Sequence, residues 1–166
     1  YLDGTTDVTR TVALGTPSAD MVHDFTLVLK GHIALAKAMF PLNTCGMRLD
    51  TLARAPLWQE CKDFKHGTGH GVGCFGNVHE GPNRISGGGS TYGFKPNMVT
   101  SIEPGYYKEN AYGIRIENLY YTKEAGRNSG FLEFTPLTLV PIDKRLIDEY
   151  LLDAGERDWL NAYHRK

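Results

Sequence analysis

Nine of the 19 glycines fall between residues 66 and 90, at positions 67, 69, 71, 73, 76, 81, 87, 88 and 89. Glycine costs about 1 kcal/mol relative to alanine in a helix interior. No stable helix is therefore expected here, and tight turns with close backbone approach are. The same stretch carries His66-Gly67-Thr68-Gly69-His70-Gly71-Val72-Gly73 and, beyond it, Asn77-Val78-His79-Glu80-Gly81-Pro82. Function is expected to sit in this region, held by regular elements on both sides.

Those elements are legible from periodicity. Pro17-Ser18-Ala19-Asp20 reads as a helix start, and Val22, Phe25, Val28, Leu29, Ile33, Ala36 and Met39 recur at helical spacing until Pro41. A second helical run from Leu49 to Glu60 carries Leu49, Leu52, Ala53 and Trp58, with a kink or restart expected at Pro56. The opening from Asp3 to Leu14 is rich in Thr and Val and reads as extended or hairpin structure. Met98–Ile102, Tyr112–Tyr121 and Phe134–Pro141 read as strands, the second with one slip in its alternation. The tail from Lys144 to His164 reads as one or two amphipathic helices broken at Ala154-Gly155. With 166 residues and no internal repeat, low-complexity tract or linker, the chain is one domain or a large piece of one.

Composition excludes several partners. Lys plus Arg number 18 against 19 for Asp plus Glu, a net charge of -1, so no surplus of positive charge is present for phosphates or anionic lipid. Nucleic acid and membrane are not expected partners. No apolar run approaches the roughly 18–20 residues of a membrane span, since Ile33 to Phe40 is interrupted by Lys37. Cys45, Cys61 and Cys74 are odd in number and form no C-x-x-C pair, which fits a reducing, cytoplasmic compartment better than a disulfide framework. The chain opens on Tyr1 rather than Met, so a processed end or the edge of a fragment is expected.

Asp7, Glu103 and Glu117 are acidic residues embedded in strand-like sequence, in Thr6-Asp7-Val8, Ile102-Glu103-Pro104 and Ile116-Glu117-Asn118. A carboxylate on a buried strand is costly unless positive charge meets it. Each taken singly could pair with an arginine or cap a turn. Three of them with a histidine-rich glycine loop point instead to hard oxygen ligands plus imidazole, the donor set of a divalent-metal site. His66 and His70 are four apart, but the Gly-Thr-Gly between them holds neither a helix nor the glutamate of an H-E-x-x-H zinc protease. No Lys-Ser or Lys-Thr follows the glycines, so a phosphate cradle is disfavoured too. His79 reads as a site residue or as a satisfied structural histidine, while His23, His32 and His164 lie on helical stretches and read as solvated surface.

The chain resembles the C-terminal part of an aminopeptidase P, the Xaa-Pro aminopeptidase branch of the metallopeptidase family with the pita-bread fold. The resemblance is carried in order by Asp3-Gly-Thr-Thr-Asp-Val-Thr-Arg-Thr11, His66 to Gly73, Val78-His79-Glu80-Gly81-Pro82, Glu103-Pro104-Gly105-Tyr106-Tyr107, Gly113-Ile114-Arg115-Ile116-Glu117-Asn118 and Phe134 to Pro141. The ending Trp159-Leu160-Asn161-Ala162-Tyr163-His164 is similar to the cytosolic forms. The resemblance implies an α+β pita-bread (creatinase/aminopeptidase-like) fold, incomplete here, with a mainly antiparallel curved sheet and flanking helices. Residues 1–166 would form a single partial catalytic domain of a longer enzyme.

Residue by residue, it implies that Asp7, His70, Glu103 and Glu117 are ligands of a two-ion site, Asp7 and Glu117 serving both ions and His70 and Glu103 one. Mn2+ is the implied ion, in keeping with the oxygen-rich donors. Water made more acidic by the ions would attack the carbonyl of an Xaa-Pro bond, with Glu103 as general base. His66 and His79 would orient substrate and stabilise the oxyanion, and Arg115 would hold a carboxylate. The family pattern also places a ligand aspartate eleven residues before the one matched by Asp7, upstream of Tyr1, and Asp3 does not match it. The expectation is therefore a fragment whose second metal position is empty and whose own activity is very low, and a homodimer for the intact enzyme. The alternatives are a non-catalytic pita-bread module that binds peptides or proteins, and a prolidase-like dipeptidase with the same fold and ligands.

Overall fold

The computed structural model describes residues 2–89, 91–126 and 130–166. Among these described residues, three helices, α1 (Ala19–Ala36), α2 (Gly46–Trp58) and α3 (Ala154–His164), accompany eight short strands. These are β1 (Met39–Pro41), β2 (Gly69–His70), β3 (Arg84–Ile85), β4 (Val99–Ile102), β5 (Gly105–Lys108), β6 (Tyr112–Arg115), β7 (Asn118–Glu124) and β8 (Phe131–Pro136). All pairings between these strands are antiparallel, in a four-stranded sheet of order β1-β8-β7-β4 and the two ladders β2-β3 and β5-β6. Helices packed beside antiparallel strands are the expected α+β class.

α1 starts where Ser18 caps it, its hydroxyl accepting from the Met21 amide at 3.3 Å. It stops at Ala36, earlier than expected, because Phe40 is drawn into the sheet opposite Leu132 and packs against Phe94 and Phe134 with ring centroids 5.9 and 5.0 Å away. α2 runs through Pro56 to Trp58 without restarting. The proline forfeits the bond its missing N–H would make to the Leu52 carbonyl, but only Leu57 and Trp58 follow it in the helix, so little helix remains to restart. Apolar faces of α1, α3 and β6 form one core around Val28, Leu29 and Ile33, while α2 and the large sheet close a second around Leu35, Ala53, Phe94 and Tyr120.

Three other boundaries differ from the sequence reading. The expected strand Tyr112–Tyr121 is two strands, broken at Ile116-Glu117, and the slip in its alternation marks the break. The last strand covers Phe131–Pro136 instead of Phe134–Pro141, because the Val140 and Pro141 carbonyls accept hydrogen bonds from Arg10 rather than from a neighbouring strand. In the tail, a 3-10 turn at Lys144–Leu146 precedes α3, and Ala154-Gly155 opens that helix instead of breaking it. Asp153 and Glu156 form a reciprocal capping box there.

His32 corrects a further expectation, since it is fully buried. Its Nδ1 lies 3.1 Å from the Ile116 carbonyl, which can only accept, so Nδ1 carries the proton. Nε2 then accepts from the Tyr120 hydroxyl at 2.7 Å. Burial is the main cause that pushes the imidazole down to about 3, with the Ile116 carbonyl opposing it weakly. An unfolded histidine takes up a proton below about 6.5, so between pH 6.5 and 3 the unfolded chain binds more protons than the fold. Stability should fall as pH drops through that window, by up to about 1.4 kcal/mol per pH unit. Urea midpoints against pH for the protein and its His32→Asn variant measure this. Parallel curves would show that His32 is not held neutral.

Candidate metal centre

The ladders β4-β7 and β5-β6 share one register. Ile102 pairs with Asn118 and Gly105 with Arg115, so the same register sets Glu103 opposite Glu117 in the gap between them. Residues directly opposite in an antiparallel pair point to the same face. In the gap each glutamate turns its backbone N–H outward, Glu103 to the Thr68 carbonyl at 2.7 Å and Glu117 to the Thr9 carbonyl at 3.1 Å. The opening segment thus flanks one edge, tied also by Thr11 Oγ1, which donates to the Arg115 carbonyl at 3.1 Å. The glycine-rich segment flanks the other. The expected extended opening is met at the Thr9–Glu117 bridge. Alternation along both flanks carries Asp7 and His70 to the carboxylates.

The glycines allow the approach of the second flank. A Cβ on Gly69 would lie 2.1 Å from the Ser101 carbonyl oxygen, and one on Gly71 would lie 2.2 Å from that of Glu80. The loop is also anchored from α2. Arg54 donates to the carbonyls of Phe64 at 2.7 Å and His66 at 2.9 Å, and Asp50 accepts from both Arg54 and the Thr68 hydroxyl.

The ligand atoms of His70, Glu103 and Glu117 lie within 4.8 Å of one another, as do those of Asp7, His70 and His79. The structure therefore brings together all four residues singled out as metal ligands. His70 Nδ1 lies 2.9 Å from the Gly71 carbonyl and must donate to it, which leaves the lone pair on Nε2. That Nε2 is buried and makes no hydrogen bond, although Glu103 Oε1 is 3.2 Å and Asp7 Oδ2 3.4 Å away. A buried imidazole lone pair facing carboxylates fits a cation, and the set of hard oxygens with one nitrogen fits a divalent one.

Electrostatics agree with that fit. Burial, helped by repulsion from Glu103 and Asp7, pushes Glu117 up to about 7 against a hydrogen bond from Thr9. Burial also opposes ionisation of Glu103, but His70, Arg115 and His66 outweigh it and hold that carboxyl below its ordinary range. Burial works against the charged form of His70, but the Glu103 carboxylate and the Gly71 carbonyl outweigh it and raise the imidazole, so without an ion a proton competes for the same Nε2 lone pair.

His66, His79 and Arg115 line the same cavity of about 580 Å³ as His70 and Glu103. The ring of His79 stands edge-on to His70 at 4.4 Å between centroids. Arg115 Nη1 is 3.8 Å from Glu103 Oε2. Its Nε donates to the Tyr107 hydroxyl at 2.9 Å, and that hydroxyl donates in turn to His66 Nε2 at 2.9 Å. Sequence reasoning missed Tyr107, Asp50, Arg54, Thr9 and Arg10 as supports of the site. Only the i,i+4 spacing of Asp50 and Arg54 hinted at a pair.

Residues 1–124 match the model of Metallopeptidase family M24 and residues 130–166 that of the C-terminal region of peptidase M24. The chain belongs to metallopeptidase family M24. It is 48% identical, over its whole length, to Aminopeptidase P1 of Lotus japonicus and 50% identical to the Xaa-Pro aminopeptidase app-1 of Caenorhabditis elegans, covering 26% and 28% of those proteins. The chain thus spans about a quarter of the length of the curated relatives it matches. Among solved structures, the X-prolyl aminopeptidase of Caenorhabditis elegans, described as a cytosolic enzyme with a di-nuclear active site, superposes with a TM-score of 0.93 at 52% identity, over 98% of this chain and 27% of that one. The prolidase of Pyrococcus furiosus superposes with a TM-score of 0.69 at 32% identity, over 81% of this chain and 37% of that one. The fold is part of the pita-bread fold of this family, incomplete in this chain.

Proposed function

We propose that residues 1–166 are one part of the catalytic domain of a longer Xaa-Pro aminopeptidase, which releases the N-terminal residue from peptides with proline second. The observation that carries the reading is the buried, unbonded Nε2 of His70 facing the carboxylates of Asp7 and Glu103. Asp7, His70, Glu103 and Glu117 would hold divalent ions, Asp7 and Glu117 serving two ions and His70 and Glu103 one. Mn2+ suits this oxygen-rich set. When bound, the ions would polarise the scissile carbonyl and raise the acidity of the attacking water.

The chain's own groups supply the rest. Glu103, held ionised by its cationic neighbours, takes the proton of the attacking water and passes it to the leaving proline nitrogen. His79, on the open side of the cavity beside His70, donates to the developing oxyanion. The Arg115–Tyr107–His66 hydrogen-bond chain orients the peptide, with the guanidinium placed to hold a carboxylate. The likeness to a neighbour described as a cytosolic enzyme supports a cytosolic location.

Titration with Mn2+ and an Xaa-Pro-Xaa cleavage assay, on this chain and on one extended upstream, test the reading. Metal uptake and tripeptide cleavage by the longer chain are expected. Cleavage confined to dipeptides would make it a prolidase-type enzyme, and neither uptake nor cleavage would leave a peptide-binding module. His79→Ala in the longer chain should keep its metal, measured by elemental analysis, and lose turnover by about 10²-fold, the scale of one oxyanion donor. Loss of metal would instead make His79 a ligand, as its nearness to Asp7 and His70 allows.

A further inference from the structure

We propose that Arg10 is a positioning residue for the metal centre, and that the C-terminal region holds it in place through Tyr163 and the carbonyls of Val140 and Pro141. The inference rests on the reading of Asp7 and Glu117 as ligands. Arg10 lies three residues beyond Asp7, and its guanidinium touches both segments that bear those carboxylates. Nη1 donates to the Thr9 carbonyl at 2.9 Å and to the Glu117 carbonyl at 2.7 Å. Nη2 donates to Asn118 Oδ1 at 2.7 Å and to the Tyr163 hydroxyl at 2.8 Å, and Nε donates to the Val140 and Pro141 carbonyls at 3.0 and 3.1 Å.

Three features mark this as a device for geometry rather than for charge. All these partners are neutral oxygens, and among the described residues Arg10 forms no ion pair with a carboxylate. The donors sit on a rigid planar fork, so the two segments and the C-terminal region cannot shift separately without breaking bonds. The far side is itself fixed. The Tyr163 hydroxyl donates to the Val140 carbonyl at 2.7 Å and accepts from Asn118 Nδ2 at 3.2 Å, while Asn118 Oδ1 also accepts from Thr138 at 3.1 Å. Tyr163 is 5% exposed and Asn118 not at all, so water cannot readily replace a lost partner. Thr9, whose carbonyl Arg10 holds, bonds the Glu117 carboxylate through its own hydroxyl. The C-terminal region thus sets the spacing of Asp7 and Glu117 through one side chain.

The test measures Mn2+ affinity by competition with a fluorescent chelator in the full-length enzyme, alongside circular dichroism and the melting temperature of the metal-free protein. Arg10→Lys keeps the charge and loses the fork, and should weaken Mn2+ binding by about 10–100-fold, the range seen when the partners of metal ligands are removed. Tyr163→Phe keeps the ring and should weaken it several-fold, and it carries the test if the Arg10 variant does not fold. Leu132→Ala, a core change in the other hydrophobic cluster, should lower the melting temperature with affinity unchanged. Wild-type affinity in folded Arg10→Lys and Tyr163→Phe, or losses that Leu132→Ala matches at equal destabilisation, would overturn the proposal. An unaltered enzyme that takes up no Mn2+ would overturn the metal reading and this inference with it.

Discussion

Replacing Glu103 by Gln in the full-length enzyme is expected to lower kcat by about 10²–10⁴-fold, the contribution of a positioned general base. The substitution changes little else by shape. Glutamine can still accept the Ser101 hydroxyl at the site of Oε1, 3.2 Å away, and keeps the backbone bond to Thr68. It cannot take a proton, and it removes one negative donor beside His70. Metal content is therefore measured with turnover, because weakened binding adds to the loss. Near-wild-type turnover at saturating Mn2+ would remove Glu103 from proton transfer.

Glu117→Gln is expected to split stability from metal binding. In the absence of metal, Glu117 ionises only near 7 in the fold, against about 4.5 unfolded. Between those values the fold holds the extra proton, so stability falls as pH rises through the window. By pH 8 the penalty is on the order of 3 kcal/mol, the cost of ionising a carboxyl held near 7 rather than 4.5. Glutamine carries no such penalty, so the metal-free variant should melt higher than the parent at pH 8 and close to it at pH 4.5. Mn2+ affinity should meanwhile fall by 100-fold or more, since a shared carboxylate is lost from both ions. A variant less stable at pH 8 than its parent would show that Glu117 is not strained by its neighbours, and unchanged Mn2+ affinity would show that it is not a ligand. On the metal reading, the stability that the crowded carboxylates cost is restored when cations bind.

How much of this was legible follows from the range of the interactions. Asp7, Glu103 and Glu117 stood out because an acid among strand residues has no local reason to be there. His70 stood out because its neighbours are glycines. Those signals are local and survive in one dimension. Arg10, Tyr163 and Asn118 meet only in the fold, across more than a hundred residues in the case of Arg10, and nothing near any of them announces the others. His32 was misread for a different reason. It shares the spacing of Phe25, Leu29 and Ala36, so it lies on the buried stripe of α1, but its polarity suggested water. A pair of partners, the Ile116 carbonyl and the Tyr120 hydroxyl, makes that burial tolerable, and both come from strands far along the chain. Helix and strand ends drifted wherever a tertiary contact outbid local preference, as at Phe40 and Val140.

The common register of the two ladders makes the length of a distant turn a chemical quantity. Lys108 pairs with Tyr112, so residues 109–111 alone connect β5 to β6, with Asn110 in the left-handed conformation. Five residues of strand at about 3.3 Å each set this turn roughly 17 Å from the carboxylates. An insertion or deletion of one residue there touches no ligand, yet if it is taken up by the strands rather than by the turn it slips one arm of the hairpin by one place, and such a slip turns every side chain to the opposite face. Glu103 and Glu117 would then lie on different sides of the ribbon. The surface tip that looks freest to vary in length is in effect a ruler for the candidate metal centre, more tolerant of exchanged side chains than of a changed count.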